Sequence, residues 1–294
     1  GPLAHPVRPQ VYREINNFYT PTVYEKGAEL VRMIKTLLGP QDFRAGMDLY
    51  LQRCDGTAAT IEEFLACFAE ASGRDLAHFA LWYEQAGTPK LTVTDHYDPA
   101  AKTYRLDFAQ MTPPTPGQPV KKPVVIPVLL GLVGRAGDLP LTAVHVDSTR
   151  GLFVLDDTSQ TVTFTHVNER PVPSLLRGFS APVRLDFTLG KEDLLTLFRH
   201  DSDSFNRWQA AQSYATQLLV SATDAIKKGA AADTDTFGDA AFADAIAALI
   251  ETSEDHAFAA QILMLPSEGD IAREIGQDID PDAVMQARRS VRRA

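Results

Sequence analysis

The chain has 294 residues, 45% hydrophobic and 22% charged, which is ordinary for a globular protein and leaves room for two or three domains of roughly 100 residues. Its formal charge of −10 at pH 7 argues against a nucleic-acid partner, because phosphate contacts need a concentrated basic surface. The one basic cluster lies at the end of the chain and is more typical of a solvated helix C-terminus: Arg288, Arg289, Arg292 and Arg293.

Cysteine content and hydropathy indicate the compartment. The two cysteines, Cys54 and Cys67, cannot build a disulfide framework, and each is expected to pack within helices. Nothing in the sequence resembles a secretory signal, and no apolar run is long enough to cross a bilayer. We therefore expect a cytoplasmic protein with no membrane partner.

The first of three compositional blocks, residues 22–86, has the periodicity of α-helices. Apolar side chains recur every three or four positions through residues 23–38, and a Gly-Pro pair follows as a stop signal. Thr22 and Glu25 have the spacing of a capping box, in which two side chains bond to the first free backbone amides. The sequence therefore predicts a strong amphipathic helix that begins at Thr22.

Three further helices are predicted in this block. One covers QDFRAGMDLYLQR, residues 41–53. The next begins at Thr60, whose spacing to Glu63 gives a second capping box. The last follows Asp75 and places four apolar residues on one face: Leu76, Phe79, Trp82 and Tyr83.

Residues 91–188 change to the alternating β-branched and aromatic pattern of strands. Runs such as KLTVT, YRLDF and TVTFTHV are separated by Pro, Gly and Asp turn signals. About seven strands over roughly 100 residues predict a β-sandwich. The segment TPPTPGQPVKKP, residues 112–123, is interpreted as a Pro-rich loop between strands rather than as a polyproline ligand.

From Gly190 onward, Ala-rich helical patterns return and are broken by glycines and prolines. Paired helices of this length predict a stacked helical array, and the uncapped last helix suggests that the array continues past Ala294. The predicted fold is therefore multidomain α and β. Helices occupy residues 1–88, a β-sandwich occupies 89–189, and the start of a helical array occupies 190–294.

Recognisable catalytic motifs are scarce. Zinc proteases commonly preset two histidines four residues apart on one helix face, as in HExxH, yet no two of the seven histidines here have that spacing. The sequence also lacks a nucleophile elbow, a Walker phosphate loop and a dinucleotide fingerprint. We therefore expect this chain to bind no catalytic zinc.

Four strings in order carry a resemblance to a known family: GPLAHPVRP, INNFYTPTVYEKGAELVRMIKTLLG, FRAGMDLYLQRCDGTAATIEEF and WYEQAGTPKLTV. Together with FSAPVRLDF, FRHDSDSFNRWQAAQS and ILMLPS, they resemble the bacterial aminopeptidase N family of gluzincin zinc metallopeptidases over essentially the whole chain. The resemblance implies the helical tail of a thermolysin-like catalytic domain, then a small β-sandwich, then the start of a helical C-terminal domain.

Members of this family carry a GxMEN exopeptidase motif and an HExxH zinc motif, with a further glutamate ligand, before the first matched string. None of these occurs here. The resemblance therefore implies an internal piece of the enzyme, with zinc as cofactor of the intact protein, peptides as substrates, and the missing N-terminal part of the same enzyme as partner. We expect the isolated chain to have no aminopeptidase activity.

The same resemblance assigns roles to three residues. Tyr24, in VYEKG, is implied to donate a hydrogen bond to the oxyanion of the tetrahedral intermediate; a phenol stays protonated at neutral pH, and the first turn of a helix adds positive potential. Asn16 and Tyr19, in NNFYT, are implied to line the S1 pocket that receives the N-terminal side chain of the peptide. Spacing alone favours a packing role for Tyr24. For Asn16 and Tyr19 it leaves a loop-stabilising hydrogen bond and a packed aromatic ring as open as the pocket roles.

Other interpretations stay open. Glu25 and Lys26 are given no chemistry, since a capping carboxylate and a solvated lysine explain them. A non-enzymatic scaffold would show the same three blocks and would need no tyrosine motif. A peptide-binding module would hold extended peptides at a sandwich edge or in a groove of the helical array.

Overall fold

The computed structural model describes residues 4–231 and 237–293, which form two compact units. The first unit comprises the described residues up to Leu130, with Pro140–Arg170 and Leu175–Phe187. The second comprises Gly131–Leu139, Pro171–Ser174 and the described residues from Thr188 onward. Initial helices, a β-sandwich and a helical array follow one another along the chain, which confirms the predicted fold class. The division into three domains at residues 88 and 189 stays a prediction.

The described residues of the first unit form four α-helices: α1 (Gly27–Leu38), α2 (Pro40–Cys54), α3 (Ile61–Ser72) and α4 (Leu81–Glu84). The apolar stripe predicted for the first helix is the buried face of α1: Leu30, Met33, Ile34, Leu37 and Leu38. Gly39, with a φ of 86°, ends α1, and Pro40 begins α2 at a position where its missing amide costs nothing. The Gly-Pro stop signal is thus confirmed.

The capping box predicted at Thr60 is present. Thr60 Oγ1 accepts the backbone amide of Glu63 at 3.2 Å, and the Glu63 carboxylate accepts the amide of Thr60 at 2.7 Å. Both donors would otherwise lack a partner at the start of α3, so the two side chains satisfy them reciprocally.

The capping box predicted at Thr22 and Glu25 is wrong. A π-helical turn, Thr22–Lys26, precedes α1. The amide of Val23 donates to Oγ1 of Thr20 at 3.3 Å, so the capping side chain is that of Thr20. Pro21 already has αR dihedrals, because its ring fixes φ in the helical range. The helical path therefore begins about one residue earlier than predicted, and Thr22 lies too far along it to act as a cap.

The helix predicted after Asp75 is shorter than expected. Only α4 is α-helical, and the preceding residues 77–80 form turns closed by bonds such as that from the Trp82 amide to the Phe79 carbonyl at 3.0 Å. The Asp75 carboxylate accepts the amide of Ala77 at 2.8 Å and so favours a turn over a helix start. The predicted apolar face is nevertheless buried: Leu76, Phe79, Trp82 and Tyr83.

Nine strands occur within the described residues: β1 (Lys90–Asp98), β2 (Thr103–Met111), β3 (Ile126–Gly134), β4 (Gly137–Leu139), β5 (Val146–Asp147), β6 (Leu152–Leu155), β7 (Ser159–Phe164), β8 (Val172–Leu175) and β9 (Arg184–Asp186). The prediction gave about seven, because β4 and β5 are only three and two residues long and show no alternation.

The two faces of the sandwich meet within the first unit. One sheet has the order β7-β2-β1-β9, in which only β1 and β9 run parallel. The start of β3 pairs with β6, which pairs with β5. Phe108 of β2 and Phe153 of β6 meet with ring centroids 4.7 Å apart, and alternate residues of β2 are buried. This is the packing expected of a sandwich core.

The second unit contains the helices α5 (Lys191–His200), α6 (Ser204–Lys227), α7 (Ala240–Thr252), α8 (His256–Ile262), α9 (Glu268–Ile275) and α10 (Pro281–Arg293). Four of them begin with a side chain that accepts the amide three residues on: Asp203, Asp239, Asp255 and Ser267. The apolar faces of α5, α6, α7 and α8 share one buried cluster around Tyr214 and Phe242, whose rings stack at 4.7 Å. Ile271 of α9 and Val284 of α10 pack with Leu219 of α6 in a second cluster. The prediction of a stacked helical array is confirmed.

Candidate active site

Tyr24 lies in the π-helical turn Thr22–Lys26, which continues directly into α1. Single π-helical turns of this kind are wider than an α-helix and are frequent at functional sites. The backbone is held, since the amide of Tyr24 donates to the carbonyl of Thr20 at 3.0 Å. The side chain of Tyr24, in contrast, is 61% exposed. A fixed backbone therefore presents an accessible phenol.

Tyr24 is one of four neighbouring rings, which we call the aromatic row: Tyr12, Phe18, Tyr19 and Tyr24. The rings of Tyr19 and Tyr24 stack with centroids 6.2 Å apart and an angle of 27° between them. Phe18 meets Tyr12 and Tyr19 edge-on, each at 6.0 Å. Most of this surface is accessible, because Tyr19 is 58% and Tyr12 51% exposed. A cluster of exposed apolar side chains on one short segment is typical of a contact surface.

The structure brings two of the three predicted site residues together. Tyr19 and Tyr24 stack, as described above, and Asn16 lies in a 3-10 helix, Ile15–Phe18, just before them. The carbonyl of Asn16 accepts the amide of Tyr19 at 3.4 Å, and its side chain is exposed. Asn16 therefore shapes the loop through its backbone, and its contribution to an S1 pocket stays a prediction.

Lys26 is the residue that sequence reasoning misses. It is partly buried rather than solvated: its Nζ donates to the carbonyl of Gly87 at 2.8 Å and lies 5.5 Å from the centroid of the buried Trp82 ring. Burial, together with the nearby charge of Lys121, lowers the pKa of Lys26 to about 8. No periodicity signals this contact, because Lys26 and Gly87 are 61 residues apart in the chain.

The segment that Lys26 reaches is held by the Pro-rich loop, residues 112–123. We call the segment, residues 84–89, the connector. Gln118 accepts the amide of Ala86 at 2.8 Å and donates to the carbonyl of Glu84 at 2.9 Å. Lys121 donates to the carbonyl of Ala86 at 2.9 Å, and burial lowers the pKa of Lys121. Loop and connector therefore form one bonded assembly.

The far end of α1 is also fixed. The guanidinium groups of Arg74 and Arg150 both donate to the carbonyl of Leu37, at 3.2 and 3.3 Å, and Arg150 also donates to the carbonyl of Thr36. These carbonyls have no partner within the helix, and a positive charge at a helix C-terminus is favourable. The helix that carries Tyr24 is thus anchored at both ends.

A cavity of about 550 Å³ lies beside the connector and is lined in part by Arg8, Glu84, Gln85, Gln118 and Lys122. None of the three predicted site residues lines it. The aromatic row is therefore separate from this cavity.

Within residues 4–231 and 237–293, no group of three or more His, Cys, Asp or Glu side chains is arranged to hold a metal ion. The side chains in these two ranges therefore do not fit a zinc site. In the same part of the chain, no helix has the length and apolar character needed to cross a bilayer.

Three family models match successive parts of the chain. Residues 2–83 match the Peptidase family M1 domain, residues 87–188 match a domain of unknown function with an Ig-like fold (DUF3458), and residues 191–294 match its C-terminal companion with ARM repeats (DUF3458_C). The chain is also 47% identical to aminopeptidase N of Caulobacter vibrioides over 293 residues. Along its whole length the chain is therefore similar to a part of bacterial aminopeptidase N.

Other relatives show the same similarity. The chain is 40% identical to aminopeptidase N of Escherichia coli over 293 residues, covering 100% of this chain and 33% of that protein. The Caulobacter alignment covers 99% of this chain and 32% of that relative. A solved structure of Legionella pneumophila aminopeptidase A, in complex with aspartic acid, is similar with a TM-score of 0.77 and 27% identity over 97% of this chain and 31% of that one. The chain spans about a third of the length of these relatives.

Proposed function

We propose that the chain is part of a zinc-dependent aminopeptidase that removes N-terminal amino acids from peptides, and that its contribution to the reaction is the phenol of Tyr24. The observation that carries the proposal is the exposed ring of Tyr24 on a fixed turn. The amide of Tyr24 is bonded to the carbonyl of Thr20, and the turn is bonded through Lys26 to the carbonyl of Gly87. The match to the Peptidase family M1 domain and the names of the relatives support the reaction class.

The chemistry of the phenol suits the proposed role. Attack of water on a peptide carbonyl places negative charge on the carbonyl oxygen, and a donor already aimed at that oxygen stabilises the transition state more than the substrate. A neutral hydroxyl donates without adding a charge that would have to be desolvated. The start of α1 adds the positive end of the helix dipole beside it.

Asn16 and Tyr19 are proposed to border the S1 pocket. Tyr19 supports this assignment because its ring stacks on Tyr24 and would lie beside the residue whose peptide bond is cut. Asn16 supports it indirectly, by bonding its carbonyl to the amide of Tyr19. An aromatic wall next to the oxyanion donor would place the first side chain of a peptide at the reacting carbonyl.

The zinc ligands are proposed to lie in another part of the intact enzyme, the N-terminal part of a thermolysin-like domain, which is then the partner of this chain. Peptides are the proposed substrates. A cytoplasmic location is part of the proposal and rests on Cys54 and Cys67, which are both unpaired thiols.

The test is Tyr24→Phe in the full-length polypeptide that carries this chain. We expect kcat on an aminoacyl anilide to fall by roughly 10²–10³-fold, the usual cost of one oxyanion donor, with little change in KM. Tyr50→Phe is the matched control, because Tyr50 packs its ring on Phe64 in α2–α3 and lies outside the aromatic row. Wild-type kcat in Tyr24→Phe would reject the proposal and favour a scaffold.

The isolated 294-residue chain is expected to show no turnover of the same anilide. Turnover that a chelator abolishes would contradict this expectation. Saturable binding of labelled peptides by the isolated chain, together with unaffected catalysis in Tyr24→Phe, would instead favour a peptide-binding module.

A further inference from the structure

Lys26 and Tyr24 share one π-helical turn and send their side chains to different surroundings. Residues two apart on a helix do not face each other, so the turn can expose one side chain while it buries the other. Tyr24 is 61% exposed, whereas Lys26 reaches the connector and lies over the ring of Trp82. The orientation of the turn, and hence of the phenol, therefore depends on where Lys26 is held.

The acceptor of Lys26 has a fixed position. Gly87 has a φ of 95°, a backbone conformation that residues other than glycine rarely adopt. A Cβ added at this position would lie 3.3 Å from Thr115 and 3.4 Å from Thr112 of the Pro-rich loop. The loop also holds the neighbouring residue Ala86 through the bonds of Gln118 and Lys121 described above. The carbonyl that Lys26 binds is thus set by the β-sandwich rather than by the helix.

A lysine is a costly way to pack this position. Moving an ammonium group out of water is unfavourable, and the charge of Lys121 adds repulsion. A methionine would fill similar space against Trp82 without that cost. What a methionine cannot supply is the directional bond to the carbonyl of Gly87.

We propose that Lys26 is a positioning residue: by bonding the turn Thr22–Lys26 to the carbonyl of Gly87, it fixes the direction of the Tyr24 phenol, with the Pro-rich loop as the support of that bond. This inference rests on the oxyanion role proposed for Tyr24. Lys26 itself touches neither substrate nor reacting atoms and acts only through the turn.

The first test compares Lys26→Met with Lys35→Met in the full-length polypeptide. Lys35 is an exposed lysine in the last turn of α1, so its replacement is the same chemical change on the same helix without the bond. Because small misplacements of a catalytic group are costly, we expect Lys26→Met to lower kcat by roughly 10- to 100-fold with little change in KM, and Lys35→Met to change neither. Lys26→Arg, which keeps a donor, should recover part of the lost kcat. Wild-type kcat in Lys26→Met would overturn the inference.

A double-mutant cycle separates positioning from general destabilisation. If Lys26 acts through Tyr24, the double variant Tyr24→Phe/Lys26→Met should be no slower than Tyr24→Phe alone. Multiplied losses would overturn the inference and leave the oxyanion role intact. An unaffected Tyr24→Phe would instead remove the proposed function itself, so the two failures are distinguishable.

A measurement that does not depend on activity distinguishes local loosening of the turn from misfolding of the variant. In the 294-residue chain, amide hydrogen exchange of residues 22–28 should be faster in Lys26→Met than in wild type, whereas exchange in β1 should be unchanged. Unchanged exchange in residues 22–28 would overturn the inference, and so would uniformly faster exchange in both segments, because it would show a general loss of structure.

Discussion

The helices α1 and α6 begin in two different ways. At α6, the carboxylate of Asp203 accepts the amide of Asn206 at 2.8 Å, and the start of the helix is satisfied by its own neighbours. At α1, a π-helical turn comes first, and Lys26 crosses to Gly87, 61 residues away. A local cap makes a helix stable wherever the helix lies. A distant anchor instead fixes the helix start relative to another part of its unit, which is what a site for chemistry needs.

The same contrast appears in the side chains around each helix start. The first buried residues of α6, including Asn206 and Ala210, lie in the interior of the second unit. The segment before α1 instead carries the aromatic row, with Tyr19 and Tyr24 more than half exposed. Leaving these rings exposed gives up the stability that burying them would add. Natural proteins accept such a loss of stability at functional sites.

The largest expected effect comes from Trp82→Ala, which removes the ring beneath Lys26 and the bond from its indole Nε1 to the carbonyl of Val125 at 2.7 Å. Truncating a buried tryptophan typically costs about 3–5 kcal/mol, so we expect much faster amide exchange throughout α1. Trp208 becomes the only tryptophan and reports on the second unit, where α6 should be unaffected. An equal rise in the amide exchange rates of α1 and α6 would contradict the contrast between the two helices.

A smaller effect is expected from Asp203→Ala, which removes the cap of α6. The loss of such a cap costs about 1 kcal/mol, and it should lower the midpoint of denaturant unfolding followed by the fluorescence of Trp208 in a Trp82→Phe background. Exchange of residues 22–28 should not change. If the turn before α1 loosened as well, the two helix starts would not be independent.

The last prediction concerns the titration of Lys26, which changes stability only above about pH 8 and leaves it unchanged at neutral pH. Its pKa is lowered from 10.5 to about 8 in the folded chain, with Lys121 as the charged group beside it. The folded state then binds fewer protons than the unfolded state between these values, so stability rises with pH from about 8 to 10.5 and is flat below that window. Lys26→Met should lack this rise. The measurement is the denaturant midpoint from Trp82 fluorescence, in a Trp208→Phe background, at several pH values; parallel curves for both proteins would contradict it.

Local signals in the sequence are sufficient for much of the fold. The Thr60–Glu63 box and the alternation of β2 can be predicted because their partners are a few residues away or across one strand. The box at Thr22 fails for a local reason too, since Pro21 starts the helical path before it. The helix after Asp75 is predicted too long because its apolar spacing fits tight turns as well as an α-helix.

The candidate site is less accessible to sequence reasoning. Resemblance points to Tyr24 and Tyr19, whereas spacing alone favours packing for Tyr24 and decides nothing for Tyr19. The structure shows both rings exposed and stacked. The sequence predicts a solvated Lys26, because a lysine at a helix start usually is. Its contacts with Gly87 and Trp82 depend on the tertiary fold, which no local pattern encodes.

The most direct measurement of the role of Tyr24 is the affinity of the full-length enzyme for a tetrahedral phosphonate analogue of a dipeptide, compared with that for an unreactive substrate analogue, in wild type and Tyr24→Phe. A donor to the oxyanion binds the tetrahedral, charged form preferentially. We predict that Tyr24→Phe weakens binding of the phosphonate by at least about tenfold and leaves the substrate analogue unchanged. Equal affinities of both proteins for the phosphonate would contradict the oxyanion role.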